Sequence, residues 1–249
     1  MSDKDKNRSM ASGQGRFVTT HWSVVQAAGH PNSSRYKSSL EILCKTYWYP
    51  LYAYLRRHGY NADKAGDHTQ GFFAKIMEKQ SIGAADPKRG KFRSFLLTSL
   101  KNFIADEYDR SQAQKRGGGK NMFSLDFESA EGQYCLEPKD EMSPEKLFER
   151  SWAMTMLKNT LDRLSGEYKS ERKKKLFGHL KVYLTADKQT ANYNDAAEKL
   201  QMTEGVVKVA VHRLRKRYRE LLKEEIAQTV SSKEEVDEEI NELFKALSG

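Results

Sequence analysis

The chain of 249 residues has only two cysteines, Cys44 and Cys135, far apart and outside any C-x-x-C pattern. A disulfide framework or thiolate zinc site is not expected, and a reducing cytoplasm is the expected home. Its six histidines are scattered and form no H-E-x-x-H. G-x-S-x-G, Walker-type and G-x-G-x-x-G patterns are missing too. No catalytic residue, metal or cofactor is therefore expected, and the chain reads as non-enzymatic. No apolar run approaches the ~18 residues of a membrane span, and the polar first thirty residues do not read as a secretory leader. The five prolines all precede residue 145 and strand-like alternation is nearly absent, which leaves an all-α chain.

What the chain has in abundance is charge. Lysine and arginine number 43 against 34 acids, a net +9 with a pI near 9.3. That balance favours a polyanionic partner. With 38% apolar and 10% aromatic residues the chain can still build small cores. Residues 1–35 read as a polar arm carrying a short helix over His21–Ala28, with Thr20 as its cap and Gly29 as its stop. Residues 36–116 form a first helical domain with most of the aromatics. From Asp126 to Glu149 the charge reverses to −6, and with the triplet Gly117-Gly118-Gly119 and Pro138 it makes 117–143 a flexible acidic linker. Its acidity serves solubility, or keeps the flanking basic surfaces from indiscriminate binding. A second helical domain, 144–226, opens with Ser143 as N-cap and Pro144 at the first helical position. Its stripe Phe148, Trp152, Met156, Leu157, Leu161, Leu164 is core.

Tyr193 to Leu222, YNDAAEKLQMTEGVVKVAVHRLRKRYRELL, has the pattern of a helix-turn-helix. A short helix over Asp195–Leu200 meets a turn at Gln201-Met202, and Thr203 caps a longer helix. Val207, Val211, Leu214, Tyr218 and Leu221 recur at helical spacing and face inward. Lys208, Val209, His212, Arg213 and Lys216 lie on the opposite face, continued by Arg215 and Arg217. A helix with that face can enter a major groove, its first half on base edges and its later arginines on phosphates. On pattern alone it reads equally as an ordinary amphipathic helix with a solvated basic face.

The segment TEGVVKVAVHRLRKRYRELL resembles the fourth conserved region of bacterial extracytoplasmic-function (ECF) sigma factors, roughly S-E-G-T-V-K-S-R-L-H-R-A-R. The first domain resembles their second region. YWYPLYAYLRR (47–57) is similar to its opening helix, AGDHTQGFF (65–73) to D-A-E-D-L-T-Q-E-V-F, and FRSFLLTSLKNFIADEYDR (92–110) to F-R-A-W-L-L-T-I-A-R-N-x-x-x-D-x-x-R. The resemblance covers about 40–116 and 144–225 in the family's order. It implies a non-enzymatic initiation factor whose partners are core RNA polymerase and promoter DNA. Asp67, Thr69, Gln70 and Phe73 would dock on the polymerase. Lys88, Arg89, Lys91, Lys101, Asn102 and Arg110 would engage the melted minus-ten element, with Lys115 and Arg116 on phosphates. Thr203, Lys208, Val209, His212, Arg213, Arg215, Lys216 and Arg217 would hold the minus-thirty-five duplex. Phe92, Phe95 and Phe103 read as core before they read as base-stacking platforms.

The chain also departs from the family. Lys64-Ala65-Gly66-Asp67 and Gln70-Gly71 stand where D-A-E-D and Q-E are usual, so three acids are missing from the docking helix. Phosphorylation of Thr69 would return about −1.5 to −2 charge there, which makes a Ser/Thr kinase a candidate partner beside an anti-sigma factor. Val209 and Ala210 replace Ser-Arg, and apolar contact with thymine methyls substitutes for hydrogen bonds. Gln201 replaces the usual turn glycine at some conformational cost. Residues 227–249 add an acidic amphipathic helix, opened by the capping box Ser232-Lys233-Glu234-Glu235 and striped by Val236, Ile240, Leu243 and Leu247. It either covers the basic reading helix or packs on one of the domains. The competing reading of the whole chain is a stand-alone helix-turn-helix regulator that binds duplex DNA as a dimer.

Overall fold

The computed structural model describes residues 22–113, 127–137, 142–185, 192–230 and 232–248. Helix accounts for 82% of these residues and strand for none, in agreement with the expected all-α class. In chain order the α-helices are α1 (Ser23–Gly29), α2 (Tyr36–Arg57), α3 (Ala62–Glu78), α4 (Phe92–Ala113), α5 (Phe127–Cys135), α6 (Pro144–Gly166), α7 (Glu171–Leu180), α8 (Asn194–Leu200), α9 (Glu204–Ile226) and α10 (Lys233–Ser248). None is long and apolar enough to cross a membrane. No group of three or more His, Cys, Asp or Glu among the described residues could hold a metal ion.

Local sequence accounts for most of the boundaries. Asn61, Ser143, Ser170 and Thr203 each accept a backbone N–H three residues on, satisfying one orphan donor of α3, α6, α7 and α9. Ser232 does the same for α10, accepting from Glu235 N at 3.3 Å. Gly29, expected to stop the first helix, is instead its last residue. A Cβ there would lie 2.8 Å from Cα of Gly83, so this glycine permits the backbone of α1 to touch the 3-10 turn Ser81–Ala84. Thr20 and His21 lie outside the described residues.

The centre of the molecule is α2. Every side chain from Thr46 to Leu55 is buried, on all sides of the helix, because YWYPLYAYL presents apolar surface all round. Such a helix has to be wrapped, and α1, α3, α5 and above all α6 wrap it. Of the expected linker, the described part contains α5, held against α2 by Glu131. This carboxylate takes both Nε and Nη2 of Arg56 (2.9 and 2.7 Å) and the Tyr52 hydroxyl, while the Arg56 guanidinium lies 4.7 Å over the Tyr134 ring.

Two apolar clusters result. The larger joins α1–α4 to Leu147, Phe148, Trp152 and Met156 of α6, to Leu222 and Ile226 of α9, and to Val236 and Leu243 of α10. The smaller holds Leu164 with Phe177, Leu180, Tyr183, Tyr193, Val207, Val211, Leu214 and Leu221. Their border falls within α6 and α9, so these two continuous helices run from one core into the other.

Candidate nucleic-acid interface

The helix-turn-helix forms as its sequence indicates. Ala196 and Ala197 bury the inner face of α8. At its end Met202 N donates to Ala197 O (2.9 Å) and Gln201 N to Glu198 O (3.1 Å), which closes the helix in a Schellman turn. Gln201 sits there at φ 53°, the left-handed conformation that costs a non-glycine residue about 1 kcal/mol. Val207, Val211, Leu214 and Leu221 of α9 are buried. Tyr218 is half-buried, and its hydroxyl donates to Leu157 O at 3.1 Å. Burial pushes that phenol up to about 12.

On the outer face Val209, His212, Arg213 and Lys216 are exposed, and none of the three basic side chains is ion-paired among the described residues. Lys208 is exposed but meets Glu204 one turn back at 2.6 Å. That is a solvated i, i+4 surface pair, and it yields readily to a phosphate. Thr203 is occupied as the N-cap, accepting Val206 N at 3.4 Å.

Two of the expected DNA contacts are engaged within the protein. Arg215 is 9% exposed, and its Nε donates to Tyr183 O at 2.8 Å. It lies on the flank of α9 that meets the 3-10 turn Lys181–Leu184 and braces the domain from within. Arg217 forks onto Glu167 (2.6 and 3.1 Å) and also reaches Glu220 and Glu224. The Glu167 carboxylate keeps its guanidinium charged, with a pKa above even the usual arginine range. Arg163 joins the same network through Glu224 and Glu225. Arg217 thus ties the end of α6 to α9 and is not presented as a free phosphate ligand.

The second cluster of expected contacts surrounds the turn before α4. Asp86 Oδ1 accepts Lys88 N at 2.9 Å, Pro87 opens the 3-10 turn Pro87–Arg89, and Gly90 leaves it at φ 122°, a conformation open to glycine. Lys88, Arg89 and Asn102 are exposed. Lys101 pairs with Glu145 at 2.8 Å, a surface contact that leaves it accessible. Lys91 differs, because its partner at 2.8 Å is the buried Glu239 of α10. Burial lowers the Lys91 pKa, as does Arg93 nearby. The Arg110 side chain, Lys115 and Arg116 lie outside the described residues. Phe92 and Phe103 are buried and Phe95 is half-buried, as core residues.

On α3 the expected docking face is also corrected. Asp67 is exposed and Gln70 half-buried. Thr69, however, is fully buried, its hydroxyl donating to Ala65 O at 2.7 Å, and Phe73 is 5% exposed within the main core. Thr69 therefore offers no surface to a kinase, and Phe73 none to a partner. A Cβ at Gly71 would come 3.3 Å from the Phe103 ring, so a larger residue there would require a shift of a few tenths of an ångström in that ring.

One site went unread in the sequence. Glu239 pairs with both Arg93 and Lys91, and Arg93, itself 4% exposed, also meets Glu149 and lies 4.3 Å over the Trp152 ring. The signal was present: Glu239 stands between Val236 and Leu243 in the apolar stripe of α10, where an acid has to be buried and paired. This cluster fixes the placement of α10, which packs on α6 and α9 and does not cover His212, Arg213 or Lys216. The chain matches no model of a known protein family, no curated protein and no solved structure.

Proposed function

We propose that the chain is a sigma-type initiation factor, non-enzymatic and cytoplasmic, that lends promoter specificity to core RNA polymerase. The observation that carries this reading is the Schellman-closed helix-turn-helix whose second helix presents His212, Arg213 and Lys216 beside Val209, exposed and without an ion pair among the described residues. The Arg213 and Lys216 charges so placed fit a duplex backbone, where each phosphate neutralised releases counterions. In this reading the smaller core, built from α7, α8 and the adjoining parts of α6 and α9, serves the minus-thirty-five element, and α2–α4 within the larger core serve the minus-ten element and docking. Lys88, Arg89 and Asn102 are the accessible minus-ten contacts, with Lys101 available after it leaves Glu145. Asp67 and Gln70 carry the docking on the outer face of α3, without Thr69 or Phe73. The exposed basic turn before α4 supports this reading, because it offers Lys88 and Arg89 to a second stretch of backbone phosphate away from α9.

The test is transcription in vitro. Full-length chain added to sigma-free core polymerase should give run-off products from its own promoter region and none without it. An Arg213→Ala, Lys216→Ala pair should reduce them at least tenfold. Sequence-specific duplex binding with no polymerase-dependent transcript would identify a stand-alone regulator instead.

A further inference from the structure

The first two turns of α9 carry an apolar surface that the core does not need. Val206 is 52% exposed and Val209 51%, while Val207 between them is fully buried. Three residues apart, they occupy neighbouring turns of the helix, their Cβ atoms about 5–6 Å apart. Both positions are costly locally: each forgoes the gain of burying a valine, and a β-branched residue is a poorer helix former than the Lys, Glu or Arg around it. The polar side chains of these turns all have partners or roles within the helix, and only the weak surface pair of Lys208 can be given up. Glu204 and Lys208 are paired with each other, Thr203 caps the helix, and Gly205 has no side chain and open space around it. One to two turns further along stand the exposed His212, Arg213 and Lys216, without an ion pair among the described residues.

We propose that Val206 and Val209 form a specificity surface for thymine methyl groups in the major groove of duplex DNA. The inference rests on the helix-turn-helix reading above and names the chemistry that helix selects. An apolar pair framed by cations fits a polyanion that itself displays methyl groups, and the C5-methyl of thymine is the one apolar feature of the major-groove edge. RNA lacks that methyl, and its deep, narrow major groove admits no helix. The 5–6 Å spacing matches methyls on neighbouring base pairs, so the selected element contains adjacent A·T pairs opposite the start of α9. Ala210, half-buried, is not part of the surface.

The experiment uses the full chain at low ionic strength and two randomised duplex pools, one built with thymidine and one with deoxyuridine, which differ only in that methyl. The thymidine pool should yield an enriched element with adjacent thymines. Rebuilding that element with deoxyuridine should weaken binding roughly fourfold per methyl lost, about fifteenfold for two. Val206→Ala with Val209→Ala, both at exposed helical positions and so compatible with folding, should discriminate the two forms clearly less than wild type, because each alanine keeps only the Cβ of the valine surface. Equal wild-type affinity for both forms, or a double variant as methyl-sensitive as wild type, overturns the proposal while leaving the helix-turn-helix intact. If neither pool yields a selected duplex, or if Arg213→Ala with Lys216→Ala leaves binding unchanged, the DNA-binding reading falls and this proposal with it. Enrichment of an element without thymines at the α9 contact also overturns it.

Discussion

Glu239→Ala tests whether the C-terminal helix is held by charge. The carboxylate is 4% exposed and joins Arg93, 5% exposed, and Lys91, 40% exposed. Removing one partner of a buried ion pair costs ~3–5 kcal/mol, because the other charge stays behind without compensation. Here two features reduce the loss. Arg93 keeps Glu149 at 2.5 Å and the face of Trp152, and Lys91 can turn into water. The expected cost is therefore about 2–3 kcal/mol, at or just below the lower end of that range. At ~2–4 °C per kcal/mol for a chain of this size, the thermal midpoint should fall by about 5–10 °C. The neighbouring Glu238 is exposed, and Glu238→Ala should stay within about 0.5 kcal/mol. Because the cluster is buried, the difference between the two variants should persist in high salt, where surface pairs are screened. Urea unfolding of Arg93→Ala, Glu239→Ala and the double variant gives the coupling directly, expected at ~1–3 kcal/mol. Equal losses for Glu238→Ala and Glu239→Ala, or strictly additive single losses, would refute the buried-pair account.

Three further outcomes are expected. Thr69→Glu, which puts a carboxylate where the wild-type residue is fully buried, should cost at least ~3 kcal/mol, whereas Thr69→Val, which gives up only the hydroxyl's bond to Ala65 O, should cost ~0.5–1.5 kcal/mol; mass spectrometry of kinase-treated native chain should find Thr69 unmodified. His68 lies between Tyr60 and Phe103, and desolvation holds its pKa below the ordinary value, opposed by Glu107 and Asp67 and assisted by Lys64. The unfolded chain therefore binds this proton first, and stability should fall as pH drops from about 7 toward 5.5; urea midpoints for His68→Phe should flatten over that window, and an unchanged slope would assign the effect elsewhere. Burial pushes the Cys44 thiol up to about 11, while Cys135 is exposed, so iodoacetamide should label Cys135 in the native protein and Cys44 only after unfolding.

The sequence alone determined the local features. Helix starts at Ser143, Thr203 and Ser232 follow from side-chain oxygens three residues before an orphan N–H, and such bonds form whatever the rest of the chain does. The apolar stripes of α6 and α9 and the turn between α8 and α9 were legible for the same reason, since period and capping are short-range properties. Tertiary structure decided which faces stay open. In α2, buried all round, no face is marked by pattern, and its neighbours come from segments far along the chain. Thr69 and Phe73 share a helix with exposed Asp67, and only the approach of the other helices around α3 puts them inside. The charged residues were the least legible. With 31% of the chain charged, many partners are chemically equivalent, and only the packing brings Arg217 to Glu167 and Arg93 to Glu239 while leaving Arg213 and Lys216 to solvent. Helical period specifies the angle at which a side chain leaves its own helix; what waits at that angle is set by elements tens to more than a hundred residues away.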